Sequence, residues 1–287
     1  MDVVAGPSPD SESVRQAFDR LVDEGEQMTS NLPSTDILGY RPIGDDLDAG
    51  RLGLVWGTAV AFADLPAKVT ATSPEAARSM SVQMDGMDRV ARAETDVVIS
   101  SPYFVPGQKG EQAFADLTRR NVKVAILTNS LAATDEPLVH VGYARYRVGL
   151  LRSGVEFHEL SPTRVQQNLR LLLPGTSLGR LHAKTAVIDR KTVYIGSMNL
   201  DPRSDSTNTE LGIIAECPEL AREVLLSLEI SKRKSSYRVR LAPGGESLEW
   251  LANEDQGDIV FSQEPEVTQI MRLKNLLFGR FVPEQLL

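Results

Sequence analysis

The chain has 287 residues, 41% of them hydrophobic, which is sufficient for one large or two modest domains with buried cores. Its formal net charge of −8 disfavours a broad, non-specific surface for nucleic acids. The single cysteine, Cys217, excludes an internal disulfide framework. We expect neither a secretory signal nor a membrane-spanning helix, since the latter needs a run of about 18 apolar residues.

Proline and glycine interrupt the hydrophobic pattern of the first 70 residues, so this part of the chain is weakly specified. Met1–Pro7, followed by a helical pattern, is similar to Thr209–Ile214, which a proline and a second helical pattern follow. This short match, of a kind that chance also produces, indicates an internal repeat. We therefore expect residues 1–70 to be the remnant of a similar N-terminal half with a linker, and residues 71–287 to form one domain.

The middle of the chain alternates strand and helix patterns. Short β-branched runs predict strands over Asp96–Ser101 and Val122–Leu127. Val155–Leu160 is a third predicted strand, because it follows Gly154, a residue typical of a helix end. Apolar residues at helical spacing predict helices over Gly110–Asn121 and Glu136–Ser153. This alternation predicts an α/β fold with a layered sheet.

A loop and a hairpin follow these elements. Ser161–Arg180 is rich in proline, glycine and amide side chains, and we interpret it as a functional loop such as a lid or substrate wall. Leu181–Ile188 and Thr192–Met198 are predicted strands joined by a turn at Asp189–Lys191. The remaining predictions are a strand over Thr209–Glu216 and helices over Glu219–Ser231 and Val267–Phe278.

A spaced polar pattern lies on the predicted hairpin: His182-x-Lys184-x4-Asp189-x6-Gly196-Ser197-x-Asn199. Alternate residues of a strand point to the same side, so His182 and Lys184 share a face, as do Ser197 and Asn199. Buried polar groups cost free energy unless they are paired, so four converging groups indicate a functional site. A solvent-facing strand is the alternative, and the fixed spacing of six positions argues against it.

The pattern resembles the HKD signature of the phospholipase D superfamily. Other segments resemble its cardiolipin-synthase branch, in particular the bacterial C type; they are Ser100–Pro106, Leu127–Asp135, His140–Tyr143, Trp56, Asp64, Pro66 and Lys68. The resemblance implies a phospholipase D-like α-β-α sandwich with a mixed sheet. It also implies that the chain is the second half of a pseudo-symmetric enzyme with two motifs.

The resemblance implies a reaction through a phosphohistidine. His182 would attack phosphorus, and water or an alcohol would then release the phosphatidyl group. Lys184, Ser197 and Asn199 would stabilise the charge that develops on the phosphate oxygens. Glu210, eleven residues after Asn199, would hold the histidine tautomer. Neither a metal nor another cofactor is implied.

Four further residues have lesser expected roles. Asp189 lies at a strand end, where we expect it to fix the turn, and Gly196 allows the backbone to approach the site. His140 and Tyr143 share one helical face, and the resemblance implies that they line the pocket. An ordinary helix histidine is the alternative for His140.

The chain departs from the family because it has one HKD motif. Members use two histidines, one to attack and one to protonate the leaving group. The chain has three histidines, and neither His140 nor His158 has a lysine two residues later. Either two copies pair, or the chain is the C-terminal part of a longer enzyme. The repeat favours the second explanation, in which case the isolated chain is inactive or nearly so.

The leading functional expectation is a cardiolipin synthase-like phosphatidyltransferase with a phospholipid donor and a phosphatidylglycerol-like acceptor. The alternatives are a phospholipase D, a homodimeric endonuclease, and a non-catalytic remnant that binds lipid or protein. The implied location is cytoplasmic and peripheral on the inner (plasma) membrane. The expected partners are a phospholipid, the membrane surface, and the missing N-terminal half or a second copy of the chain; no nucleic acid is expected.

Overall fold

The computed structural model describes residues 12–20, 35, 38–41, 43–81, 83–170, 179–245, 247–254, 257–278 and 283. These residues divide into two compact units, one drawn from residues 1–52 and 169–175 and the other from residues 53–168 and 176–287. Met1–Pro7, the first member of the predicted repeat, lies outside the described residues. The predicted N-terminal remnant ends at residue 70, so residues 53–70 of it fall in the second unit.

The helices are short except for α5, α6 and α9. Their bounds are 12–20 (α1), Ile43–Asp48 (α2), Pro74–Arg78 (α3), Gln83–Ala91 (α4), Gly107–Arg119 (α5), Pro137–Ser153 (α6), Pro162–Arg170 (α7), Pro202–Ser206 (α8), Pro218–Lys234 (α9) and Gln269–Phe278 (α10), with a 3-10 helix at Pro66–Thr70. Gly154, at φ +100°, ends α6 in the left-handed conformation that glycine tolerates best. None of the described helices has the length and apolar character needed to cross a membrane.

The described strands form one sheet. They are Thr58–Ala63 (β1), Asp96–Ser100 (β2), Lys123–Asn129 (β3), Glu156–Leu160 (β4), Thr185–Ile188 (β5), Thr192–Gly196 (β6), Leu211–Glu216 (β7), Ser236–Leu241 (β8), Leu248–Ala252 (β9) and Ile259–Phe261 (β10). Their order is β1-β7-β6-β5-β2-β3-β4-β8-β9-β10. The β2–β3 and β3–β4 pairs are parallel and the other pairs are antiparallel, so the sheet is mixed.

Helices cover both faces of the central strands. On one face, Phe114 of α5 and Leu150 of α6 pack in the main core with Ile99 of β2. On the other face, Ala221 of α9 packs against Val187 of β5 and Val193 of β6. The predicted α-β-α sandwich with a mixed sheet is therefore confirmed.

Several predicted elements need correction. Ser161–Arg180 is not a loop throughout, because α7 begins at Pro162, where proline suits the first helical turn. Residues 171–178 of that segment lie outside the described residues. The predicted strands Leu181–Ile188 and Thr192–Met198 are shorter in the structure, since their mutual pairing covers only Thr185–Ile188 and Thr192–Ile195. Strands β8 to β10 were not expected from the sequence pattern.

A buried polar network joins α6 to the C-terminal strands. Glu159 at the end of β4 accepts hydrogen bonds from the Tyr143 hydroxyl at 3.0 Å, Arg147 Nη1 at 2.7 Å and Trp250 Nε1 at 2.8 Å. Arg147 also donates to Glu264 at 2.8 Å. Arg147 and Glu159 are both buried, so each charge depends on its partner for compensation.

Glu159→Ala removes the acceptor of three hydrogen bonds in this network. We expect the free energy of unfolding to fall by about 3–5 kcal/mol, because Arg147 loses a buried counter-ion. Urea unfolding followed by circular dichroism measures the change. The control is Glu249→Ala, whose partner Arg240 is half exposed, with an expected loss of at most about 1 kcal/mol. Equal losses in the two variants contradict the prediction.

Candidate active site

The motif residues meet at one edge of the sheet. His182 and Lys184 lie in the extended segment just before β5, and Ser197 and Asn199 lie just after β6. Because β5 and β6 are antiparallel neighbours, the start of one and the end of the other share an edge. The four side chains thus belong to strand ends rather than to the strand faces expected from their spacing.

His182 and Lys184 are in direct contact. The Lys184 ammonium donates to the His182 carbonyl at 2.9 Å and lies 3.4 Å from Nδ1 and 3.3 Å from Nε2 of the imidazole. Burial lowers the pKa of Lys184, while the negative charges of Glu210, Asp135 and Asp201 oppose that shift. The His182 side chain is exposed and the Lys184 side chain is half-buried.

Glu210 organises the loop between β6 and β7. Its carboxylate accepts hydrogen bonds from Ser197 Oγ at 2.5 Å, Ser204 Oγ at 3.0 Å and Asn208 Nδ2 at 3.3 Å. The family resemblance implies that the Glu210 carboxylate holds the tautomer of His182. In the structure, these three hydrogen bonds direct the carboxylate to the loop instead. Besides its charge, which acts on Lys184, Glu210 therefore affects the site through these neighbours.

Ser197 is fully engaged by its surroundings. Its hydroxyl donates to Glu210, and it accepts a hydrogen bond from the Leu211 backbone N–H at 3.1 Å. A hydroxyl has one proton to donate, so Ser197 has none left for a phosphate while this bond persists. Asn199 is buried, and its Oδ1 has no hydrogen-bond partner. The Asn199 amide oxygen thus has unused capacity to accept a hydrogen bond.

A buried ion pair lies behind the loop. Lys68 donates to Asp64 Oδ2 at 2.5 Å, to the Ser204 carbonyl at 2.8 Å and to Ser81 Oγ at 3.2 Å. The same Asp64 oxygen accepts the Glu210 backbone N–H at 3.0 Å. Both charged side chains are fully buried. The pair therefore ties the segment after β1 to Ser204 and Glu210.

Asp189 and Gly196 have structural contacts in this site. The Asp189 carboxylate accepts backbone N–H groups of Glu94 at 3.0 Å and Thr95 at 2.7 Å, which fixes the β5–β6 turn to the segment before β2. A Cβ added at Gly196 would lie 2.5 Å from the Leu211 carbonyl oxygen. The close approach of β6 and β7 therefore requires glycine at this position.

His140 and Tyr143 do not lie with the motif residues. Both are buried in the core on α6, where His140 Nε2 lies 3.2 Å from Glu264 and Tyr143 bonds Glu159. The helical face they share is the face that packs on the sheet, so the expected role in lining the pocket is corrected to a role in the core. His158 is also buried, with its imidazole 2.8 Å from Glu156.

Sequence reasoning missed a polar group beside His182. The Tyr103 hydroxyl donates to Asp135 at 2.8 Å, and Arg180 lies 4.0 Å from the other Asp135 oxygen. Burial alone would raise the pKa of Asp135, but the Tyr103 hydrogen bond and the charges of Arg180 and His182 hold it below its ordinary value. The signal for these residues was their place in segments that resemble the family. Across the described residues, no cluster of three metal-binding side chains is found.

Lys68→Met leaves the Asp64 carboxylate buried without its cation. We expect a loss of about 3–5 kcal/mol in the free energy of unfolding, measured by urea titration. The double variant Asp64→Asn with Lys68→Met is expected to recover part of this loss, because no unpaired charge remains. Lys191→Met in the exposed β5–β6 turn is the control, with a change within about 0.5 kcal/mol. A double variant less stable than Lys68→Met would refute the prediction.

The chain is similar in sequence to known proteins. The family described as "Cardiolipin synthase, PLD-like domain" matches residues 87–229. Cardiolipin synthase C of Escherichia coli (strain K12) is 38% identical over 226 residues, which are 78% of this chain and 47% of that protein. Cardiolipin synthase A of Pseudomonas aeruginosa is 30% identical over 143 residues, which are 50% of this chain and 26% of that protein.

A solved structure is also similar. The phospholipase D family member Nuc from Salmonella typhimurium has a TM-score of 0.46 and 16% sequence identity, over 64% of this chain and 99% of that one. The present chain spans about half of the length of cardiolipin synthase C. From the matched family and the identity to cardiolipin synthases, the chain belongs to the phospholipase D superfamily and carries a PLD-like domain of the cardiolipin-synthase type.

Proposed function

We propose that this chain supplies one catalytic half of a cardiolipin synthase-like phosphatidyltransferase that works through a phosphohistidine. The observation that carries the proposal is the contact between the exposed His182 imidazole and the Lys184 ammonium at the sheet edge. An imidazole nitrogen is a competent nucleophile toward phosphorus. An adjacent ammonium stabilises the charge that develops on the phosphate oxygens.

The first step replaces one bond at phosphorus. A His182 nitrogen forms a P–N bond as the P–O bond to the donor's alcohol breaks, and the alcohol oxygen takes up a proton. The Lys184 ammonium lies beside the imidazole ring. It would therefore be close to the non-bridging phosphate oxygens when His182 attacks phosphorus. Asn199 would add a second polar contact with that phosphate through its amide Nδ2, because phosphate oxygens accept hydrogen bonds.

The second step reverses these bond changes with a new alcohol. The hydroxyl of a phosphatidylglycerol-like headgroup attacks phosphorus, the P–N bond breaks, and the hydroxyl proton is removed. In this step water would give hydrolysis rather than transfer. Glu210 serves both steps indirectly, because it holds Ser197 and Ser204 on either side of Asn199.

Proton transfer requires a group that this half-site lacks. The two other histidines of the chain, His140 and His158, are buried and bonded to Glu264 and Glu156. We therefore assign the second catalytic histidine to a partner, either a separate N-terminal half or a second copy of the chain. A phospholipid substrate would bring the chain to a membrane surface, and the proposal places it peripherally on the cytoplasmic face.

An activated donor tests the nucleophile without the partner. In phosphatidyl-p-nitrophenol the leaving group departs without a proton, so the chain alone is expected to release one p-nitrophenolate in a burst and to gain a phosphatidyl group on His182. Absorbance measures the burst, and mass spectrometry of peptides locates the adduct. His182→Asn is expected to abolish both signals. A burst that persists in that variant, or wild-type protein without an adduct, contradicts the proposal.

Two lysine variants sharpen the same experiment. Lys184→Met is expected to slow the burst by about 10²–10³-fold, because a charge aimed at the transition state is lost. Lys123→Met, at the exposed start of β3, is the matched control and keeps the wild-type rate. Adding phosphatidylglycerol vesicles then separates the outcomes: transfer product supports the synthase, whereas free phosphatidic acid alone supports a phospholipase D.

A further inference from the structure

The segment that carries His182, just before β5, has no strand paired with it on the side of β2. The pairing of β5 with β2 begins at Thr185, the first residue of β5, which lies opposite Ser100. After Ser100 the chain of β2 turns toward β3, where Ser101 donates its N–H to Leu127, and Pro102 has no N–H to donate. On its other side the segment is still bonded, since Gly196 donates to the Lys184 carbonyl at 3.1 Å.

The side chain of Asn129 occupies the position that β2 leaves. The Leu181 N–H donates to Asn129 Oδ1 at 2.9 Å, and Asn129 Nδ2 donates to the Leu181 carbonyl at 3.1 Å. A primary amide offers one acceptor and two donors, so it bonds a residue of the main chain as a neighbouring strand would. The second donor of Nδ2 points to the Pro102 carbonyl at 3.5 Å.

Asn129 is itself firmly placed. It is buried, it ends β3, and its backbone pairs with Leu160 of β4. The carbonyl of Leu181 and the nitrogen of His182 belong to one planar peptide group, so a bond to that carbonyl fixes the plane from which His182 departs. The two hydrogen bonds from Asn129 therefore act on the residue that directly precedes His182.

We propose that Asn129 is a positioning residue for His182, acting as a two-point clamp on the backbone of Leu181. The proposal rests on the proposed role of His182 as the nucleophile. Position matters because a displacement of about 1 Å in a reacting group costs about 10²-fold in rate. Only an amide fits both partners, since an aspartate would direct a second oxygen at the carbonyls of Leu181 and Pro102.

The experiment compares the wild-type chain with the variants Asn129→Ala and Asn129→Asp and with the control variant Asn253→Ala. Asn253 is exposed and bonds only Asp258 through the side-chain contact that the structure describes. Hydrogen exchange at the Leu181 amide is measured by NMR, with the amide of Val187 in β5 as an internal reference. Thermal unfolding establishes that each variant is folded.

Asn129→Ala is expected to speed exchange at Leu181 by about tenfold and to leave Val187 unchanged, because the bond it removes is local. Asn129→Asp retains an acceptor for the Leu181 N–H, so its exchange is expected to rise less. In the p-nitrophenol burst, both variants are expected to be about 10²-fold slower at an unchanged half-saturating donor concentration. Asn253→Ala is expected to match the wild type in every measurement.

Three results would overturn the proposal. An unchanged exchange rate at Leu181 in Asn129→Ala would show that Asn129 does not hold the Leu181 backbone. An equal increase of the exchange rates at Leu181 and Val187 would show that Asn129 contributes only to global stability. Faster exchange at Leu181 together with a wild-type burst rate would show that Asn129 does not position His182. If Asn129→Ala does not fold, Asn129→Asp decides by the same criteria. A wild-type chain without a burst defeats the proposed function, and the exchange measurements then judge the clamp separately.

Discussion

The buried ion pair of Asp64 and Lys68 is the constraint on which the arrangement of the active-site loop depends. Neither charge reaches water, so each is stable only while the other stays in place. Lys68 also donates to the Ser204 carbonyl, and Asp64 also accepts from the Glu210 N–H. Because Glu210 in turn accepts from Ser197, the ion pair sets the position of the loop that carries Asn199.

The segment that leads to His182 is held by a neutral contact. Asn129 bonds both backbone groups of Leu181 where the β2 ladder has ended. The site therefore has two buried supports, one charged and one amide. His182 is exposed and Lys184 is half-buried at the sheet edge, so the supports hold the backbone around the pair on which the proposed reaction depends.

The sequence predicts the parts of this structure that follow local rules. β-Branched runs indicated β2 and β3, the helix end at Gly154 indicated β4, and the spacing around His182 indicated the site. Strands β8 to β10 were missed, although Tyr237, Val239 and Leu241 alternate with arginines in β8; β9 and β10 have only five and three residues, which is too short for a clear pattern. The tie between Asp64 and Glu210 spans 146 residues, and no local periodicity records such a contact. In the sequence, Asn129 is an ordinary polar residue at the end of a strand, and only the structure shows its contact with Leu181.

The exposure of His182 also affects which reaction a half-site performs. A phosphohistidine open to solvent meets water far more often than a lipid headgroup, so hydrolysis would compete with transfer at the uncovered edge. On the proposed function, a partner half must therefore do more than supply a proton. By covering His182 it would exclude water and leave the acceptor alcohol as the available nucleophile. The same contact that completes the acid–base pair would then decide between a synthase and a phospholipase.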